Sequence, residues 1–380
     1  MMAAVTAPAT DEAWPPSPHF NADLLGHEAA EKELLEAFHG GAFAHAWLIS
    51  GPQGIGKATL AHRFARYILS QGDADAFGGI GGNGLFGTTD APPDNLYVAP
   101  ETPVFRRVAA GGHTDFLTVE RTVNDRGKLR NEIVVDDIRR VPAFFGHTSG
   151  EGGWRVVIVD SADEMNRNAA NALLKVLEEP PDRSVLLLVS HNPGRLLPTI
   201  RSRCRNMPLP PLAEDVLKKL LKRYLSDLPD DQSGILSRLA AGSIGDAVKL
   251  WESGGIELYN ATLELLASAP DQDVEALHRF ADDLTARGKD PQAFATAMEL
   301  LKGILLRLTR YEAQSGARSM DVDSREDEVI RAIAPMATLD RWLEVWENVG
   351  ELIERADAVN LEHKQIVLNV FSEIGGAVRQ

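Results

Sequence analysis

The segment Gly51–Lys57, GPQGIGK, constrains the fold more than any other part of the chain. It follows an apolar run over residues 46–50, and it precedes a stretch from Thr59 to Ser70 in which apolar residues recur every four positions. This order predicts a strand, a glycine loop and a helix, in which backbone N–H groups and the helix N-terminus surround a phosphate. The residues predicted to bind phosphate are Gly51, Gly54, Gly56 and Lys57.

One position of this loop departs from the usual pattern G-x-x-x-x-G-K-[ST]. The hydroxyl at the end of that pattern holds Mg²⁺, and Ala58 stands in its place. Thr59 comes one residue later and should point about 100° further round the helix. The sequence therefore predicts a phosphate loop with a damaged metal site, which binds ATP or ADP weakly at best.

A second feature, an acidic residue at the end of a predicted strand, fits the other half of a nucleotide site. Residues 154–159 predict a buried strand, and Asp160 follows it, where a carboxylate can hold magnesium through water. In hydrolysing AAA+ proteins a glutamate follows directly and polarises the attacking water, but here Ser161 follows. Glu164 lies four residues past Asp160 and is not expected to take that place. The alternative interpretation of Asp160 is a strand-end acid that caps the next turn.

Alternating strands and helices predict the fold class. Residues 168–179 predict an amphipathic helix that Pro180 and Pro181 end, and residues 185–190 predict another buried strand. Nearly continuous apolar strands separated by helices indicate a mostly parallel α/β sheet. The glycine-rich residues 71–95 follow neither period and are expected to form a loop.

Composition limits the classes of function. The chain has 380 residues, enough for two or three domains, with a formal net charge of −16 and a pI of about 5.1. Strong DNA binding by this acidic chain alone is not expected, because affinity for phosphates comes from lysine and arginine. Cys204 is the single cysteine, which excludes an intrachain disulfide and a multi-cysteine zinc site and fits a cytoplasmic protein.

Targeting segments are not expected either. No apolar run approaches the roughly 18 residues needed to span a membrane. Residues 1–20 are expected to form a disordered tail, because residues 1–17 are rich in alanine, proline, threonine and serine. This segment also lacks the basic start and apolar core of a signal peptide.

Three arginines lie within five residues beside the cysteine: Arg201, Arg203 and Arg205. Taken alone, this pattern indicates a solvated basic helix end, with Cys204 as a small buried hydrophobe. Its surroundings give it a second interpretation. The strings DSADEMNRNAANALLKVLEEPP and LLLVSHNPGRLLPTIRSRC resemble subunits of the bacterial DNA polymerase III clamp loader, which belong to the AAA+ P-loop NTPases. The resemblance is dense over about residues 21–210 and softer afterwards.

The resemblance implies a role for Arg203. In clamp loaders the arginine of the Ser-Arg-Cys motif projects into the ATP site of a neighbouring subunit, where it acts as an arginine finger on the developing phosphate charge. Three parts of this chain's own hydrolytic site are missing. Ala58 replaces the hydroxyl that holds Mg²⁺, and Ser161 replaces the glutamate that polarises water. Gly245 is the third, because motor subunits carry there an arginine that senses the γ-phosphate.

The resemblance therefore implies a non-hydrolysing subunit, which needs no cofactor and is no ATPase alone but works within the DNA-directed DNA polymerase holoenzyme, a nucleotidyltransferase. One alternative is an active AAA+ ATPase, the motor subunit of the same complex. That alternative requires Thr59 or water as a metal ligand, and another acid such as Glu164 to polarise water. A second alternative is an unrelated nucleotide-binding regulator with a degenerate site.

Domains and partners also follow from the resemblance. We expect a tail over residues 1–20, a P-loop α/β domain over 21–210, a helical lid over 211–253 and an all-helical collar over 254–380. The implied partners are the clamp-loader ATPase subunits and a delta-type subunit in a hetero-oligomeric ring, with the sliding clamp and primed DNA reached through the complex. Many family members carry a four-cysteine zinc module where residues 71–95 stand, so no zinc is expected here.

Overall fold

A computed structural model of the chain shows two compact units, which are Met1–Leu220 with Gly242–Ile244, and Leu221–Ala241 with Gly245–Gln380. The residues that the structure describes are 16–40, 43–76, 94–124, 127–151, 153–269, 271, 273–285, 292–314, 322–359 and 362–379. The tail expected over residues 1–20 therefore lies mostly outside them. The division into tail, α/β domain, lid and collar remains a prediction.

A parallel sheet forms the core of the first unit. Its strands are β1 Ala46–Ser50, β2 Phe116–Val119, β3 Arg155–Val159, β4 Ser184–Ser190 and β5 Arg205–Pro208. They lie in the order β2-β3-β4-β1-β5, and every neighbouring pair is parallel. All residues of β1 and β4 are buried, as in a sheet covered on both faces. The predicted α/β fold class is confirmed.

Helices cover both faces of this sheet. They are α1 Glu28–His39, α2 Lys57–Ala76, α3 Pro103–Ala109, α4 Val135–Gly146, α5 Arg167–Glu178 and α6 Pro198–Arg201. A further helix, α7 Glu214–Tyr224, follows β5 along the chain and continues into the second unit. Successive side chains of a strand point to opposite faces. Trp47 and Ile49 of β1 accordingly share a core with Phe64 of α2, whereas Leu48 shares the other core with Leu173 of α5.

The prediction of a loop over residues 71–95 is wrong for its first six residues. Helix α2 continues to Ala76, so residues 71–76 are helical. Extending an existing helix adds one hydrogen bond for each residue fixed. This gain exceeds the free-energy cost of placing one glycine in a helix. Residues 77–93 of the predicted loop lie outside the described part of the chain.

The second unit is built from helices. They are α8 Asp230–Leu239, α9 Ile244–Glu252, whose first residue belongs to the first unit, α10 Gly255–Ala267, α11 Val274–Thr285, α12 Ala293–Ala313, α13 Ser324–Ile333, α14 Leu339–Val359 and α15 His363–Val378. Leu301, Ile304 and Leu308 of α12 are fully buried in its core, together with Trp342 of α14. The predicted helical character of the back half is confirmed. Within the described ranges, no helix is both long and apolar enough to cross a bilayer.

Buried basic side chains hold the segment before α1 against α2. The Arg66 guanidinium donates to the carbonyl oxygens of His19 at 2.9 Å and Asn21 at 2.6 Å. The rings of His19 and His62 lie 4.3 Å apart between their centroids. Burial lowers the pKa of His62 well below its ordinary value, and the nearby charges of His19 and Arg66 lower it further. Burial also lowers the pKa of His19.

We expect the first unit to lose stability as the pH falls below about 6.5. The folded chain keeps His62 neutral, whereas the unfolded chain protonates it at low pH. The unfolded state therefore binds more protons, and the free energy of unfolding decreases as the pH is lowered. The test is urea unfolding between pH 7.5 and 5.5 of wild type, His62→Asn and, as a control, the exposed His147→Asn. His62→Asn should flatten the pH dependence. A slope equal to that of wild type would contradict the assignment.

Candidate functional site

The loop after β1 has the backbone that a phosphate-binding loop requires. Gly51, Gly54 and Gly56 have φ angles of 148°, 73° and 103°, which side-chain-bearing residues rarely adopt. A Cβ atom at Gly51 would lie 2.4 Å from the carbonyl oxygen of Leu209, so only glycine fits at this position. Helix α2 begins at Lys57 directly after the loop, which places a helix N-terminus against it.

Lys57 is held across this loop. The residue is 3% exposed, and Nζ donates to the carbonyl oxygens of Gly51, at 2.8 Å, and Pro52. The ammonium group thus lies against the loop backbone, and the predicted contact of Lys57 with the outer phosphates of a nucleotide remains a prediction. Ala58 is partly exposed and Thr59 is buried. The position that carries the metal-binding hydroxyl in the full motif therefore presents only a methyl group.

Asp160 follows β3 at the edge of the sheet where β1 also ends. Strand β4 lies between β3 and β1, so the strand that carries Asp160 is not the immediate neighbour of the loop. Burial raises the pKa of the Asp160 carboxyl and the charge of Glu120 raises it further, while the charges of His19 and Lys57 lower it. The charge of Lys57 thus acts on the Asp160 carboxyl, and both residues belong to the first unit.

The residues after Asp160 are engaged within the protein. Ser161 Oγ lies 3.1 Å from Nε2 of His191, which follows β4. The carboxylate of Asp163 accepts a hydrogen bond from the backbone N–H of His191 at 2.9 Å. Glu164 forms an ion pair with Arg121 at 2.9 Å. Ser161 and Glu164 thus both have protein partners that compete with a role in polarising water.

Glu120 is a carboxylate near the site that sequence reasoning missed. It follows β2 as Asp160 follows β3, and the end of a predicted strand was the available signal. Strand β2 lies at the edge of the sheet, and β3 and β4 separate it from β1. The strand that carries Glu120 is therefore farther from the phosphate loop than the strand that carries Asp160. Among the described residues, no group of three or more histidine, cysteine, aspartate or glutamate side chains could hold a metal ion.

Arg203 lies at the surface just after α6. Its side chain is 36% exposed, and its Nη2 lies 2.8 Å from Oε1 of Glu178, the last residue of α5. Its Nη1 donates to the carbonyl oxygen of Thr199 at 3.0 Å. The guanidinium is therefore fixed from two sides while it remains accessible to another molecule.

The neighbouring arginines have different surroundings. Arg201 is exposed, whereas Arg205 pairs with Glu33 at 2.8 Å and its guanidinium lies 4.6 Å from the ring centroid of Trp47. Cys204 is buried, and burial raises the pKa of its thiol to about 12, which agrees with a small apolar role.

Gly245, the third predicted departure, lies in the first turn of α9 and belongs to the second unit. The phosphate loop, Asp160 and Arg203 all belong to the first unit. The structure therefore brings the loop and Asp160 to one edge of a single sheet, while Gly245 is part of a separate compact unit.

Comparison with known proteins gives consistent relatives. A family model described as DNA polymerase III, delta subunit, matches residues 89–213. The DNA polymerase III subunit delta' of Pseudomonas aeruginosa is 39% identical over 235 residues, which are 61% of this chain and 63% of that protein. The chain thus spans less than two thirds of that relative's length. The subunit delta' of Escherichia coli K12 is 29% identical over 305 residues, 80% of this chain and 81% of that protein.

A solved structure is also similar. It is a DNA polymerase III gamma subunit-related protein from Thermotoga maritima, with a TM-score of 0.42 and 17% identity, and the match covers 92% of this chain and 100% of that chain.

Proposed function

We propose that the chain, which is similar to delta' subunits of DNA polymerase III, is a non-hydrolysing AAA+ subunit of the replicative clamp loader. In this proposal it donates Arg203 in trans to the ATP site of a neighbouring ATPase subunit. Hydrolysis in the neighbour then lets the sliding clamp be loaded on primed DNA during DNA replication.

The observation that carries the proposal is the position of Arg203. It is a partly exposed guanidinium in the same unit as a phosphate loop that lacks its metal hydroxyl. An arginine that acts in trans must be reachable from outside, must keep its charge, and must present planar N–H donors to phosphate oxygens. Arg203 meets these requirements. Its own chain offers a methyl group at Ala58 and a histidine-bonded hydroxyl at Ser161 where hydrolysis needs a metal ligand and a base.

Catalysis by such an arginine is electrostatic. The transferred phosphoryl group spreads negative charge over its equatorial oxygens, and a positioned guanidinium stabilises that charge more in the transition state than in bound ATP. Related arginine fingers contribute about 10³–10⁵ in rate. The proposal therefore assigns turnover to the neighbouring subunit and a large share of its rate to this chain.

Nucleotide binding is secondary in this proposal. The loop glycines and Lys57 retain the groups that bind phosphate, whereas Ala58 cannot ligate Mg²⁺. We therefore propose that no cofactor is required, and that ATP or ADP binds weakly at Gly51, Gly54, Gly56, Lys57 and Asp160 without help from a metal.

The proposed setting is a hetero-oligomeric ring in the cytoplasm. Its other members are the clamp-loader ATPase subunits and a delta-type subunit, and the ring acts within the polymerase III holoenzyme. The net charge of −16 supports contact with DNA through the assembled complex rather than through this chain alone.

Calorimetric titration of the purified chain with ATP, with and without Mg²⁺, tests the nucleotide site. We expect weak binding that Mg²⁺ does not strengthen, because the metal ligand is absent. Ala58→Thr restores the hydroxyl and is the matched variant, for which binding should become dependent on Mg²⁺. Tight, Mg²⁺-dependent binding by the wild-type chain would contradict the proposal and favour an active ATPase.

A further inference from the structure

The contacts of Arg203 restrict an otherwise mobile side chain. An exposed arginine loses rotamer entropy when it is fixed in one conformation. Here the Thr199 carbonyl holds Nη1 and the Glu178 carboxylate holds Nη2, so part of that restriction is already present before any partner arrives. These contacts engage two of the five N–H donors of the guanidinium, which leaves donors for phosphate oxygens.

Glu178 lies on a rigid support. It is the last residue of α5, whose start is capped by the Asn166 side chain through a 3.0 Å hydrogen bond from the Ala169 backbone N–H. Leu173 and Leu177 anchor the helix in the core beneath the sheet. Because α5 itself contacts α6, the backbone of Glu178 has a fixed place relative to the turn that carries Arg203.

We propose that Glu178 is a positioning residue for Arg203, which orients the guanidinium for insertion into the neighbour's ATP site. This inference rests on the proposed trans-acting function and names the residue on which its geometry depends. The pair is partly exposed, and exposed ion pairs contribute little free energy because water screens the charges. Loss of Glu178 should therefore weaken catalysis modestly, whereas loss of Arg203 should nearly abolish it.

The experiment measures steady-state ATP hydrolysis by the assembled clamp loader. It compares wild type with Glu178→Ala, Glu178→Gln, Arg203→Ala and the double variant of Glu178→Ala and Arg203→Ala. Glu179→Ala is the matched control, because this carboxylate is adjacent and exposed at the end of the same helix. We expect Glu178→Ala to lower kcat about twofold to fivefold with KM for ATP unchanged. The kcat of Glu178→Gln should lie between those of wild type and Glu178→Ala, because the amide oxygen of glutamine still accepts a hydrogen bond.

The double variant distinguishes positioning from a general structural effect. If Glu178 acts through Arg203, its loss should have no further effect once Arg203 is absent. A further fall in the double variant, an effect equal to that of Glu179→Ala, or a rise in turnover on removing Glu178 would each overturn the inference. A rise would mean that Glu178 restrains the arginine instead.

Failure of the inference differs from failure of the proposed function. If Glu178→Ala has no effect while Arg203→Ala still stops turnover, the inference fails and the trans-acting function stands. If Arg203→Ala has no effect, both are overturned.

Discussion

Replacing Arg203 by alanine is expected to lower ATP turnover of the assembled clamp loader by about 10³-fold or more. In the proposed function, the guanidinium supplies positive charge to the transition state in a neighbouring subunit. Arg205 is paired with Glu33 and lies against Trp47, and Arg201 precedes the turn that positions Arg203. Assembly should remain intact in size-exclusion chromatography, because the partly exposed Arg203 contributes little to folding.

Two variants sharpen this test. Arg201→Ala removes an exposed arginine from the same segment and should leave turnover within about threefold of wild type, well below the effect of a finger. Arg203→Lys keeps the positive charge but loses the planar pair of donors, so its turnover should be intermediate. Unchanged turnover with Arg203→Ala in an intact assembly would contradict the trans-acting assignment.

Replacing Arg307 by alanine is expected to destabilise the second unit by about 3–5 kcal/mol. Glu326 is 1% exposed, and both of its carboxylate oxygens bond to Arg307, with Nη2 at 2.9 Å from Oε2. The hydroxyl of Tyr259 donates to the same carboxylate at 2.6 Å, and burial together with this carboxylate raises the pKa of that hydroxyl. Without Arg307, a buried negative charge would lose its counter-ion.

The control is an exposed ion pair whose arginine lies in α13, the helix that also carries Glu326. The side chain of Arg325 is 54% exposed and lies 3.4 Å from Glu264, so Arg325→Ala should cost less than about 1 kcal/mol. Native-state amide hydrogen exchange in α12 and α13 measures the free energy of unfolding of this unit. Equal losses for Arg307→Ala and Arg325→Ala would contradict the importance assigned to the buried pair.

The strands of the sheet differ in how far they could be predicted. Strands β1, β3 and β4 are nearly continuous apolar runs, because helices cover both of their faces, and they were predicted within one or two residues. Strand β5, Arg205–Pro208, was missed because it is a short edge strand in which only Met207 is buried. Its sequence carries too few apolar residues to show a period.

Helix α3 was missed although it had a local signal. Thr102 accepts a hydrogen bond from the backbone N–H of Phe105 at 3.3 Å, and Pro103 occupies the first helical position. A threonine cap followed by proline is a recognised helix start. With only seven residues, the helix was too short for its apolar face to be recognised.

The candidate site was predictable where a local motif defines it. The phosphate loop depends on glycines and a lysine at fixed spacing, and Asp160 depends on the end of a buried strand. The contact between Glu178 and Arg203 joins residues 25 positions apart and needs the packing of α5 against α6. The ion pair of Glu164 with Arg121 is likewise long-range, so its partner could not be named from spacing.

The most direct test of the central claim is steady-state ATP hydrolysis by the purified chain alone, and then by the chain mixed with the other clamp-loader subunits, with wild type compared against Arg203→Ala. The account predicts no turnover by the chain alone, together with stimulation of the mixture that Arg203→Ala removes. Robust turnover by the chain alone would contradict it. That result would mean that the losses at Ala58 and Ser161 are compensated and that the chain is a motor subunit.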